Sequence, residues 1–211
     1  MVRFMRQDAN GPQSGSSTRR ELPVVGAVAE RADAARNRAR ILAAAEQLFD
    51  AHGVDAVTMD DVVAAAGVGK GTLFRRFRDK GGLAAALLDR YESELQERLL
   101  SGPPPLGPGA APAERLGAFV WAYLRYVDER IDLVQMSQSS APGARLRTGA
   151  HALWRRHLVV LLTAAGVEGA ELRADLLLAG LAAEQVRYWL RDEGRDRDRL
   201  AQELTTLALA S

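Results

Sequence analysis

Lys70, Thr72, Arg75, Arg76 and Lys80 fall within one eleven-residue stretch. Four cations and a hydroxyl at this density supply hydrogen-bond donors. Such a set suits the binding of phosphates and base edges, not the making or breaking of bonds. Leu73 and Phe77 sit four apart, so on a helix they share one face and turn inward. Lys70, Thr72, Arg75 and Arg76 are then left outside. A helix this short needs a support, and the preceding residues supply one. Thr58 can cap a first helix, and Asp61 three residues on completes a capping-box-like pattern. Asp60 and Asp61 put negative charge where a helix N-terminus favours it. Met59, Val62, Val63 and Ala66 recur at helical spacing, and Gly67-Val68-Gly69 breaks the run, with Gly67 free to take a left-handed conformation. Two short helices around a glycine turn, the second outwardly basic, make a helix-turn-helix suited to a DNA major groove.

This run, Thr58 to Lys80, resembles the DNA-binding motif of the TetR family of bacterial repressors. The residues that carry the likeness are Ala66-Gly67-Val68, Gly71-Thr72-Leu73-Phe74, Phe77 and Lys80, in order and without a gap. Departures are Gly69 for the common Ser, Phe74 for the usual Tyr, Arg76 for the common His, and Gly81 for an acidic residue. The resemblance implies that Lys70, Gly71 and Thr72 approach base edges. It further implies that Thr58, Phe74, Arg76 and Lys80 hold the phosphate backbone, with Arg75 able to do either. Family members dimerise through their last two long helices, and the second half usually binds a small molecule that releases DNA.

Composition bounds the alternatives. The 211 residues are 47% hydrophobic and 26% charged, with a net charge of +1. A globally basic DNA-coating protein is thereby disfavoured, although residues 1–80 carry +3 and residues 81–211 carry −2. The chain has no cysteine and no apolar run near the ~20 residues needed to span a bilayer, and its start lacks an apolar leader core. A cytoplasmic location is the expectation. Catalysis, a cofactor and a bound metal are not expected. Gly67 to Thr72 only glances at a phosphate loop, because Ala64 stands where the first Gly is needed. His151 and His157 are six apart, about 240° around a helix, so they share no face for zinc.

The pattern predicts an all-α protein. Residues 1–32 read as a disordered tail in which Arg19-Arg20 form a candidate minor-groove arm. Residues 33–80 read as a three-helix helix-turn-helix domain, and residues 81–211 as a helical regulatory and dimerisation domain. Asp33 to Ala51 carries the stripe Ile41, Leu42, Ala45, Leu48 and Phe49, with Arg36 and Arg40 as candidate flanking phosphate contacts. Lys80 to Leu100 is a longer helix leading away from the reader, with Leu83, Leu87, Leu88, Tyr91, Leu95 and Leu99 on one side. Ser101 to Pro112 holds five of eight prolines and reads as a loop. Further helices are expected over Ala113 to Ile131, Asp132 to Gln138, Arg145 to Ala165, Ala170 to Glu193 and Arg195 to Ala210, with a break at Ser139 to Gly143.

Leu176 to Ala183 are all apolar or Gly, so that helix needs cover on every side. Leu176, Ala179, Gly180 and Ala183, joined by Leu200, Leu204 and Leu207 of the last helix, are the candidate dimer surface. A buried central helix in a monomer is the alternative. Candidate ligand contacts are Trp121, Tyr123, Tyr126, Met136, Trp154, His157, Tyr188 and Trp189, with Gln135, Glu184 and Arg187 as polar partners. Bulky aromatics at helical spacing are also ordinary core residues, and that alternative stays open. A mostly apolar lining points to a hydrophobic or aromatic effector. The rival to a ligand-responsive regulator is a helical DNA-binding dimer with an architectural or protein-interaction role and no inducer.

Overall fold

A computed structural model of the chain describes residues 25–138 and 143–210, the side chains of 25–31 and of 144 excepted. Contacts group residues 1–36 and residues 37–211 into separate units. Within the described residues every regular element is helical. The helices are α1 (Val25–His52), α2 (Met59–Ala66), α3 (Lys70–Phe77), α4 (Lys80–Ser101), α5 (Pro112–Glu129) and α6 (Ile131–Gln138), followed by α7 (Gly149–Ala164), α8 (Ala170–Gly180), α9 (Ala183–Arg187) and α10 (Arg197–Leu209). A short 3₁₀ turn spans Ala144–Arg147, and a π turn spans Tyr188–Asp192.

Among the described residues, 37–210 hold two apolar cores. Ile41, Ala45, Phe49, Val57, Val62, Leu73 and Phe77 form the first with Leu83 and Leu87 of α4. The second joins Leu88, Leu95 and Leu99 of α4 to Leu116, Phe119, Val120, Leu124, Trp154, Leu158, Leu162, Leu181 and Leu200. Each fully buried Leu contributes roughly 1.5–3 kcal/mol. α4 packs on α6, α5 on α7 and α10, and α7 on α8.

The helix-turn-helix caps form as the residue types dictate. The Asp61 amide donates to the Thr58 hydroxyl at 3.2 Å, and the Thr58 amide donates back to the Asp61 carboxylate at 2.8 Å. The Thr58 hydroxyl also donates to that carboxylate at 2.7 Å, and the hydroxyl first, then the amide, hold the Asp61 carboxyl below its usual range. Gly67 ends α2 at φ 60°, in the left-handed region. The turn from α3 to α4 is tighter. Arg78 has φ 63° and Asp79 caps α4 by accepting from the Gly82 amide at 2.8 Å. The Phe77 carbonyl, already taken by the Asp79 amide at 2.7 Å, lies where a Cβ on Gly82 would go.

Three expectations need correction. α1 begins at Val25, eight residues before Asp33, so residues 25–32 of the expected tail are helical. Ala, Glu and Arg are strong helix formers, and a run of them extends a helix without an apolar stripe. The rest of that tail, with Arg19-Arg20, lies outside the described residues, as does most of the Ser139 to Gly143 break. The expected helix Arg145 to Ala165 opens instead as a 3₁₀ turn, and Thr148 caps α7 by accepting from the His151 amide at 3.1 Å. The expected helix Ala170 to Glu193 is three pieces. Ala182 turns extended at ψ 145°, and the Ala183 amide donates to the Gln138 side chain at 3.3 Å instead of continuing the ladder. Gly180 lies against the Trp189 ring.

Gly82→Ala is expected to destabilise the protein by about 1–3 kcal/mol, because the turn cannot widen without breaking the α4 cap. A lowered urea midpoint at unchanged slope measures this. Gly71→Ala, where a Cβ meets open space, is the matched control.

Candidate nucleic-acid interface and ligand cavity

α3 presents its polar face as the spacing of Leu73 and Phe77 requires: both are buried, and Lys70, Gly71, Phe74, Arg75 and Arg76 are exposed. Thr72 is half-buried beside them and Thr58 is exposed at the start of α2. Arg75 and Arg76 have no hydrogen-bond or ion-pair partner among the described residues, so both guanidinium groups are free for phosphate. Lys70 is not free. Its ammonium lies 2.8 Å from a carboxylate oxygen of Asp60 and 5.9 Å from the centre of the Phe74 ring. An exposed pair of this kind is worth only ~0–1 kcal/mol, so it can be exchanged for a base edge. Lys80 donates to the Asp55 carbonyl at 3.1 Å. Arg40, considered for phosphate, instead donates to the carbonyls of Ala66 at 2.6 Å and Gly67 at 3.2 Å, closing the C-terminus of α2. Arg36 is paired with Asp33.

Farther along α4 its polar stripe lines a cavity of about 400 Å³. Ala85, Asp89, Glu92, Ser93 and Gln96 form one wall, at a spacing that keeps them on one helical face. Tyr123 and Tyr126 of α5, Val134, Ser137 and Gln138 of α6, Arg145, and His151 and Trp154 of α7 complete it. The Tyr126 hydroxyl donates to Glu92 at 3.1 Å. Burial pushes the Glu92 carboxyl up, an effect that this bond only partly offsets. Burial also raises both tyrosines and, with the charge of Arg145, lowers His151. The lining is therefore mixed, not mostly apolar as the sequence suggested.

The profile for bacterial regulatory proteins of the tetR family matches residues 41–87. An HTH-type transcriptional regulator of Staphylococcus aureus (strain USA300) is 42% identical over 60 residues. That match covers 28% of this chain and 32% of the relative, so the chain spans about a third of the length of the curated relatives it matches. Residues 41–87 are thus a tetR-family helix-turn-helix segment. Solved structures extend the likeness of fold to most of its length. Thermus thermophilus FadR in complex with lauroyl-CoA has a TM-score of 0.61 at 22% identity, covering 82% of this chain and 93% of that one. A transcriptional regulator from Saccharomonospora viridis in complex with choline has a TM-score of 0.58 at 20% identity, covering 84% and 97%.

The candidate ligand contacts do not converge on one place. Tyr123, Tyr126 and Trp154 meet in the cavity. Gln135, Met136 and Arg187 line a different depression with Asp55 and Asp132, where Arg187 donates to Gln135 at 2.8 Å and pairs with Asp132. Trp121 faces a groove near α10 and donates its indole N–H to Asp198 at 2.8 Å. Glu184 and Tyr188 are exposed, and Trp189 packs at the edge of the second core. Sequence reasoning missed Asp89, Glu92, Ser93, Gln96, Arg145 and His151. The available signal was the polar stripe opposite the leucines of α4, which has the appearance of an ordinary solvated face. Of the candidate dimer residues, Ala183 and Leu200 are buried in the chain's own core, and Gly180 and Leu204 are half-buried. Leu176, Ala179 and Leu207 are exposed.

His157 lies outside the cavity lining, its ring 5.6 Å from that of Phe119 and its Nε2 without a partner. Burial, with the nearby charge of Arg115, pushes its pKa down from 6.5 to about 4. A folded pKa below the unfolded one means that the unfolded chain takes up the proton first as pH falls. The contribution of His157 to stability is complete above about pH 6.5 and is lost on descending to about pH 4. His157→Leu should therefore narrow the gap between urea midpoints measured at pH 7 and pH 5.

Proposed function

We propose that this chain is a tetR-type transcriptional repressor. As a homodimer it binds a near-palindromic DNA operator, and a small molecule in the α4–α7 cavity releases it. The observation that carries the reading is the outward cationic face of α3. Arg75 and Arg76 are unpaired there, on a helix-turn-helix whose inner faces are buried and whose first helix is capped at both ends. In this reading Lys70, Gly71 and Thr72 address base edges, Thr58, Phe74, Arg76 and Lys80 address phosphates, and Arg75 serves either. Residues 33–80 act as the reading domain and residues 81–211 as the regulatory one.

Support for the dimer comes from α8. Leu172, Leu176 and Ala179 recur at i, i+4 and i+7 and are exposed, and Leu172 and Leu176 keep 65% and 63% of their surface. Leu207 of α10 keeps 70%. Large apolar groups this open on neighbouring helices favour cover by a second copy. Support for release comes from α4, whose first turns sit in one core and whose middle forms the cavity wall. A ligand that prefers one setting of α4 biases the reader accordingly. The chemistry is binding, and catalysis has no part in it.

Two substitutions separate the roles at the interface. Lys80→Ala should weaken binding to operator and random DNA alike and flatten the salt dependence. Lys70→Ala should cost about 1–3 kcal/mol and relax preference at one base position. Selection of bound sequences from random DNA, repeated with each variant, reads both effects. Equal losses on all sequences for both variants would refute the division. Protection of long unsymmetrical stretches in footprints would favour an architectural protein instead.

A further inference from the structure

Two solved neighbours hold chemically unlike ligands, choline and lauroyl-CoA, so the class of compound that fits this chain has to be read from its own cavity. Four groups there can carry charge: Asp89, Glu92, Arg145 and His151. Asp89 is exposed and meets Arg38 at 3.3 Å. Arg145 donates to the Leu178 carbonyl at 3.2 Å and forms no ion pair with Glu92. Glu92 is different. Among the described residues no Lys, Arg or His lies within ion-pair distance of it, and its one hydrogen-bond partner is the Tyr126 hydroxyl. A half-buried carboxylate without a counter-charge is disfavoured relative to water, and an entering cation removes that penalty.

The aromatic wall is matched to the same kind of guest. The Tyr123 and Tyr126 rings lie 5.8 Å apart at 63°, and Tyr123 and Trp154 lie 6.0 Å apart at 77°. Phe119 supports Tyr123 and Trp154 from behind, at 5.6 and 6.1 Å. These rings, packed on one another, give the void an apolar aromatic wall, and an ammonium group within about 6 Å of a ring is attracted by its quadrupole. At about 400 Å³ the space suits a small molecule. An organic anion would have to approach two carboxylates against one arginine among the described lining residues.

We propose that the cavity binds an organic cation, an amine or quaternary ammonium with an apolar body, whose charge sits against Glu92 and the Tyr123, Tyr126 and Trp154 rings. The proposal rests on the reading of this cavity as the effector site and names the effector's class. A zwitterion binds by the same ammonium contact, with Arg145 taking its anionic end.

Isothermal titration of the full chain without DNA tests it. Benzyltrimethylammonium and hexyltrimethylammonium are compared with benzyl alcohol and hexanol, and with phenylacetate and heptanoate. The ammonium compounds should bind about tenfold or more tightly than their neutral and anionic counterparts. Glu92→Gln keeps an acceptor for Tyr126 and removes the charge. It should weaken ammonium binding about tenfold and leave alcohol binding unchanged, with folding checked by thermal melting. Failure of both ammonium compounds to bind, equal binding by an alcohol or carboxylate, or undiminished ammonium binding by a folded Glu92→Gln protein would overturn the proposal. The comparison within the parent protein decides the matter even where the variant does not fold. DNA release is scored separately with the same compounds. Charge-selective binding that leaves the operator complex intact keeps the ligand class and sinks the release mechanism. Release by an uncharged compound, with no ammonium bound, does the reverse.

Discussion

Leu87 and Leu88 are adjacent in sequence and lie in different cores. Successive residues on a helix are about 100° apart, so one rod can be gripped by two bodies at once. α4 is held by Leu83 and Leu87 at its start and by Leu88, Leu95 and Leu99 beyond. Rotating or sliding it relative to either core would expose large apolar side chains, so the helix has few settings available to it. Close-packed contacts of this kind switch between discrete arrangements instead of bending smoothly. The third face of the same helix, Asp89 to Gln96, is left to the cavity.

At the reading face, the charges that are tied down and those that are free divide the work. Arg40 is spent on the carbonyls that end α2, and that bond fixes the angle at which the turn leaves for α3. Asp79 caps α4 and the left-handed Arg78 completes the corner behind α3. With the turns before and after α3 held by hydrogen bonds and its inner face by Leu73 and Phe77, Arg75 and Arg76 extend from a rigid base. Asp60 holds Lys70 at one side. If Lys70 reads a base as proposed, a negative group beside it lowers attraction for phosphate in general and leaves discrimination to the base contact.

Much of this was written in the residues themselves. Thr58, Asp61, Gly67, Leu73 and Phe77 fixed the helix-turn-helix because capping, left-handed turns and i, i+4 burial are local rules that act over a few residues. The prolines at 103, 104, 105 and 108 keep the chain out of helix after α4, and Pro112 opens α5, for an equally local reason. The extension of α1 back to Val25 followed propensity without an apolar stripe, so a reading by stripes stopped short.

Tertiary contacts decided the rest. Whether Glu92 faced water or a cavity depended on Tyr126, thirty-four residues away, and an exposed polar stripe looks the same in either case. The Gln138 side chain took the Ala183 amide and broke one long apolar helix into pieces, turning Ala183 inward while Leu176 stayed outside. His157 and Trp121 were drawn away from Tyr123 and Trp154 because α5 and α7 each have more than one inner face, toward different neighbours. Local sequence determines which groups a helix can offer. Only the packing of one helix on another determines which of those groups are paired, which are buried, and which remain to meet a ligand.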